Sequence, residues 1–147
     1  MDGIIFDVDG TLWDSVEVVA ESWNLAIKEN SDLEPNLNRE ILQGLFGKTM
    51  DEIATGVFPD LDTDSRRKLM DICFDYENRY LETHPGVYYE GVMDTLKELA
   101  LEYPLFIVSN CQCGYIEVMM KGAGMEPYIK DFLCFGQTQT SKDLTIL

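Results

Sequence analysis

Apolar positions along the chain follow two periods. Ile4, Ile5, Phe6 and Val8 form a short run broken by Asp7, the pattern of a buried parallel strand, and Asp9-Gly10-Thr11 ends it with turn chemistry. Val16, Val19, Ala20, Trp23 and Ile27 then recur at helical spacing, and Asp14 followed by Glu17 predicts a capping box at the start of that helix. Residues 30–38 are polar and read as a loop. Ile41, Leu42 and Leu45 predict a short helix before Gly47. Thr49 with Glu52 predicts a second capping box, opening a helix with Met50, Ile53, Ala54 and Val57 on one side. A longer helix is expected from about Thr63 to Leu81, with Leu69, Cys73, Tyr76 and Tyr80 along one stripe.

His84-Pro85-Gly86-Val87 marks a boundary, because Pro and Gly stop helices and redirect chains. Beyond it, a helix from Gly91 to Ala100 (Val92, Leu96 and Leu99 inward) leads to a strand, Leu105 to Val108, ending at Ser109. A helix carrying Ile116, Met119 and Met120 closes at Gly122 or Gly124; a third strand runs from Phe132 to Phe135. Ser141 then caps a helix holding Lys142. Strands alternating with helices imply an α/β fold with a parallel sheet. The stretch from about Asp14 to Tyr80 is several helices long, too long for one crossover, and reads as an inserted α-helical subdomain.

Composition narrows the class. The chain has 147 residues, 46% hydrophobic and 26% charged, with 11 Gly and 5 Pro, which excludes disordered and collagen-like proteins. No apolar run approaches the ~20 residues that cross a bilayer, and the first residues lack the basic start and apolar stretch of a signal peptide. A cytoplasmic protein without membrane contact is expected. Eleven Lys and Arg against 27 Asp and Glu give a net charge of −16, which repels phosphate backbones, so no nucleic-acid partner is expected. A phosphorylated small molecule stays admissible, since a metal ion and one lysine can reverse the field locally. Cys73, Cys111, Cys113 and Cys134, with His84 the sole histidine, have poor zinc spacing and read as reduced thiols. Cys111 and Cys113 follow a strand end, where sensitivity to oxidation is open.

The candidate chemistry lies at the strand ends, where open α/β sheets bind ligands. Asp7 and Asp9, two residues apart where the chain turns at Gly10, can face one point and divide labour as nucleophile and proton carrier. Gly10 permits close backbone approach, so nearby amide hydrogens could hold phosphate oxygens. Taken alone, Asp-x-Asp-Gly also suits an Asx-turn or a calcium loop. Ser109-Asn110 ends a second strand and Lys142 follows a third. A phosphoryl group needs a nucleophile, a hydroxyl or amide donor and a cation, and each comes from a separate strand end.

The stretch Asp7-Val8-Asp9-Gly10-Thr11-Leu12-Trp13-Asp14-Ser15 resembles the first motif of the haloacid dehalogenase superfamily. Val108-Ser109-Asn110 resembles its second motif, and Lys142 falls where its third-motif lysine is expected. The helical insert is similar to the cap of the phosphoglycolate phosphatase and β-phosphoglucomutase branch, and Pro85-Gly86-Val87 to that branch's re-entry into the core. The resemblance implies a Rossmann-like core of residues 1–14 and 84–147 with an α-helical cap of residues 15–83. It implies that Asp7 is the nucleophile and a Mg²⁺ ligand. Asp9 would be the proton carrier, with its carbonyl on the metal. Ser109, Asn110 and the amides of Gly10 and Thr11 would hold the phosphoryl oxygens, and Lys142 would balance charge. Lys48, in a loop over the site, is expected to meet an anionic part of the substrate. The activity implied is a Mg²⁺-dependent phosphatase of small phosphorylated metabolites, monomer or homodimer. A sugar phosphomutase or a non-catalytic binding protein is the alternative. The family's fourth motif, an acidic pair completing the metal site, would follow Lys142 by some tens of residues, so either a fragment of a longer protein or a natural truncation with weak metal binding is expected. The fragment is favoured, because a truncation here would leave the apolar edge of a parallel sheet uncovered.

Overall fold

The computed structural model describes residues 2–145. Strand β1 (Ile4–Phe6) leads through a turn to β2 (Trp13–Asp14) and α1 (Val16–Asn30), and three helices follow: α2 (Arg39–Gln43), α3 (Met50–Val57) and α4 (Thr63–Leu81). The chain returns through β3 (Val87–Tyr88) and α5 (Val92–Ala100) to β4 (Leu105–Ser109). It then continues through α6 (Tyr115–Ala123), β5 (Ile129–Cys134), α7 (Phe135–Thr138) and α8 (Lys142–Thr145). Strands β1, β4 and β5 form a parallel sheet in that order, with Ile4 opposite Leu105 and Ser109 opposite Cys134. Their carboxyl ends therefore share one edge. The fold is α/β, with β2 and β3 making a separate antiparallel ribbon at the root of the helical segment.

Two apolar clusters hold the molecule. The predicted face of α1 is buried against α3 and α4, bringing Val19, Trp23 and Ile27 together with Ile53, Met70 and Phe74. The second cluster lies around the sheet, where Val8, Leu12, Trp13, Ile107, Ile116 and Met119 exclude water. Complete burial of each large side chain contributes roughly 1.5–3 kcal/mol. Among the described residues, no helix is long and apolar enough to cross a membrane.

Local signals were realised where nothing distant competed. The Thr49–Glu52 capping box forms, with the Thr49 N–H donating to Glu52 at 2.8 Å. The box expected at Asp14 and Glu17 does not. Asp14 is drawn into the ribbon opposite Val87, its carboxylate pairs with Arg39, and α1 starts at Val16, whose N–H donates to Asp14 at 3.2 Å. The third strand is Ile129–Cys134 rather than 132–135, because Phe135 already opens α7.

Candidate active site

The end of β1 delivers Asp7, and a tight turn follows. The Val8 carbonyl accepts from Thr11 and Leu12 N–H at 3.1 and 2.9 Å, and Gly10 N–H donates to the Trp13 carbonyl at 3.0 Å. Gly10 holds φ +75°, a left-handed backbone that glycine adopts without steric cost. This corrects one expectation. The amides of Gly10 and Thr11 do not reach outward for an anion in this arrangement, because the turn itself consumes them, and both residues are exposed.

Lys142 meets Asp7 through its side chain and Asn110 through its backbone. Lys142 Nζ lies 2.7 Å from Asp7 Oδ2, both side chains being partly shielded from water. The Lys142 backbone N–H donates to Asn110 Oδ1 at 2.7 Å, so Asn110 anchors the segment that carries the lysine. The amide of Asn110 donates to the Gly47 carbonyl at 2.8 Å, joining the end of β4 to the α2–α3 loop. Residues 135 positions apart are thus brought into an ion pair by the register of three strands.

Asp9 has a different environment. Its backbone lies on the turn, while its carboxyl accepts from Tyr115 Oη at 2.5 Å and from Ser15 Oγ at 3.3 Å. Those two hydroxyls are themselves 2.7 Å apart. Burial raises the Asp9 pKa to about 6; the Tyr115 donor opposes this and the nearby charge of Asp7 reinforces it. Trp13 is fully buried, packed between Tyr88 at 5.4 Å and Tyr115 at 5.7 Å, so it supports the Asp9 turn from below.

A cleft between the helical segment and the sheet edge is lined by Asp9, Ser109 and Asn110 on one side and by Gly47 and Lys48 on the other. Trp23, Phe74 and Tyr115 form its apolar wall, and Glu77 and Gln112 also line it. Ser109 is buried at the end of β4. Glu77, only 3% exposed, accepts from Trp23 Nε1 at 2.5 Å, and burial raises its pKa to about 8. Sequence reading singled out neither Glu77 nor Tyr115. The available signal for Glu77 was its spacing: it falls four residues after Cys73 and three after Phe74, on the buried face of α4.

Among the described residues, no group of three or more His, Cys, Asp and Glu forms a closed metal cage. Asp7 and Asp9 contribute oxygen donors only. Such a set fits Mg²⁺, which takes one or two carboxylates and keeps waters or substrate phosphates for the remaining positions.

The family model for haloacid dehalogenase-like hydrolases matches residues 4–145. The chain therefore belongs to that family of hydrolases. Among solved structures, it superposes on a predicted phosphoglycolate phosphatase of Haemophilus somnus with TM-score 0.79 and 23% identity, covering 93% of this chain and 63% of that one. A haloacid dehalogenase-like family hydrolase of Streptococcus pneumoniae gives TM-score 0.72 and 20% identity, over 91% of this chain and 61% of that one. The HAD-hydrolase YfnB of Bacillus subtilis, solved bound to magnesium, gives TM-score 0.61 and 24% identity, over 94% and 66%. The chain thus spans less than two thirds of the length of each of these structures. No curated protein matches it.

Proposed function

We propose that this chain carries the reacting groups of a Mg²⁺-dependent phosphatase acting on small phosphorylated metabolites through an aspartyl-phosphate. The observation that carries the reading is the Lys142–Asp7 contact at 2.7 Å, held from behind by Asn110, beside a second carboxyl whose pKa is raised to about 6. An oxygen of Asp7 attacks phosphorus while Lys142 offsets the charge gathering between carboxylate and phosphoryl group. Asp9, able to carry a proton near neutral pH, gives it to the departing alkoxide. It then takes one from the water that cleaves the Asp7 acyl phosphate. Ser109 and Asn110 orient the phosphoryl oxygens. Mg²⁺, when held by the Asp7 carboxylate and the Asp9 carbonyl, supplies Lewis-acid neutralisation of phosphoryl charge. Most of the rate then comes from positioning and fixed charge, as phosphoryl transfer generally requires.

In this reading residues 15–83 act as a cap, and the apolar wall of Trp23 and Phe74 with Lys48 at the rim selects a compact leaving group. Replacing Asp7 by Asn tests it, because the amide keeps the shape and loses the nucleophile. Phosphate release from para-nitrophenyl phosphate should fall at least about a thousandfold in Asp7→Asn. Turnover retained within tenfold would refute the assignment.

A further inference from the structure

Three of the four cysteines gather where β4 and β5 end. Cys134 is the last residue of β5, Cys111 lies two residues beyond Ser109, and Cys113 stands in the loop before α6. Cys134 Sγ and Cys113 Sγ are 4.0 Å apart. Cys113 is exposed, whereas Cys134 and Cys111 are buried. This approach is built in. A Cβ at Gly136 would stand 2.6 Å from the Cys113 nitrogen and 2.8 Å from its sulfur, so only glycine lets the loop lie against the start of α7. The Gly136 N–H donates to the Cys111 carbonyl at 3.1 Å, and Asn78 Nδ2 donates to the Cys113 carbonyl at 2.8 Å, fixing the loop from both sides.

We propose that Cys113 and Cys134 are a redox-active dithiol, a modification site that closes to an intramolecular disulfide when a peroxide is the oxidant. The exposed sulfur of Cys113 attacks one peroxide oxygen. The O–O bond breaks, leaving S–OH on Cys113, and the departing hydroxide takes the thiol proton and leaves as water. Cys134 sulfur then attacks Cys113 sulfur, the S–O bond breaks, and hydroxide leaves with the Cys134 proton as a second water. Two thiols and one peroxide thus become one disulfide and two waters, the dithiol losing two electrons. The sulfurs must close from 4.0 Å to a bond of roughly 2.05 Å.

The second step is favoured by the surroundings of Cys134. Its thiol pKa is drawn downward, first by the Cys111 side chain donating to it and also by the Gln137 backbone, which places more of it in the attacking thiolate form. Desolvation and the facing Cys134 push the Cys113 thiol pKa upward, so its reaction with peroxide rests on its exposure and not on its acidity; Cys73, buried among the α1–α4 residues, is pushed up to about 12. The bond would tie the loop following Ser109 and Asn110 to the segment leading to Lys142. Its formation does not depend on the reaction that the site performs.

The test is peroxide treatment of the folded protein, alkylation of remaining thiols under denaturing conditions, and peptide mapping. A Cys113–Cys134 linked peptide, reversed by dithiothreitol, is expected, with accessible thiols falling from four to two and Cys73 among those alkylated. Cys113→Ser, an exposed position, should abolish the link, while Cys111→Ser should retain it. Irreversible acid forms on Cys113 without a link would overturn the proposal. So would a link that joins Cys111 to Cys134, or one that survives in Cys113→Ser.

Discussion

Asp9 and Tyr115 form a short polar contact beneath the site, and the hydroxyl's preference for the ionised carboxylate sets its consequence. Tyr115 donates to Asp9 and so lowers a pKa that burial has lifted to about 6. In a mechanism where protonated Asp9 serves the leaving group, kcat/KM falls as pH rises through that value. Tyr115→Phe removes the opposing donor and leaves Ser15 in place, so Asp9 stays hydrogen-bonded but holds its proton more tightly. The alkaline limb of the pH–rate profile is expected to move upward by about half to one pH unit. An unmoved limb would show that Tyr115 packs under Asp9 without setting its acidity.

At the scale of elements, the contact of α1 with α4 contains one charge-bearing residue where an apolar one would be ordinary. Glu77 accepts from Trp23 Nε1, and Trp23 meets Phe74 edge to face at 5.8 Å. Folding raises the Glu77 pKa from 4.5 to about 8, so the folded state holds this proton more tightly than the unfolded chain does. Its contribution to stability is complete below 4.5 and drains away as pH climbs through about 8. Glu77→Gln keeps an acceptor for Trp23 and cannot ionise. Urea unfolding of the two proteins from about pH 5 to about pH 8 should show the parent losing stability relative to the variant, by on the order of several kcal/mol. Asp9 shifts in the same direction in both proteins and cancels in the comparison. Parallel curves would mean that water reaches Glu77.

The same helices show what sequence can carry. The buried face of α1 and the Thr49–Glu52 box were legible because each depends on residues within a few turns of one another. The start of α1 was not, because Asp14 is claimed by Val87 and Arg39, partners that are distant along the chain. Motif spacing at strand ends pointed to Asp7, Asn110 and Lys142, and strand register explains why Lys142 reaches both of the others. The role of the Gly10 and Thr11 amides was misread because the motif is a string of letters, whereas the turn closes on the Val8 and Trp13 carbonyls. Glu77 was hidden by its chemistry: a carboxylate on a long charged helix looks solvated until Trp23 and Gln112 are seen around it.

For the whole molecule, the dominant electrostatic quantity is the net charge of −16. A phosphate monoester dianion, the substrate class proposed above, would meet a repulsive field until within reach of Lys142, Lys48 and any bound cation. The Debye length shrinks from about 30 Å at 0.01 M salt to about 10 Å at 0.1 M, so added salt hides the distant carboxylates first. The Lys142–Asp7 pair, separated by 2.7 Å and partly buried, is screened far less. Salt should therefore raise kcat/KM for para-nitrophenyl phosphate, by a fewfold between about 0.01 and 0.1 M sodium chloride, with kcat little changed. The measurement holds Mg²⁺ in constant excess, because screening would also weaken any cation binding to an acidic protein. A steady fall of kcat/KM with salt would instead identify a locally positive approach to the cleft, strong enough to override the charge of the molecule as a whole.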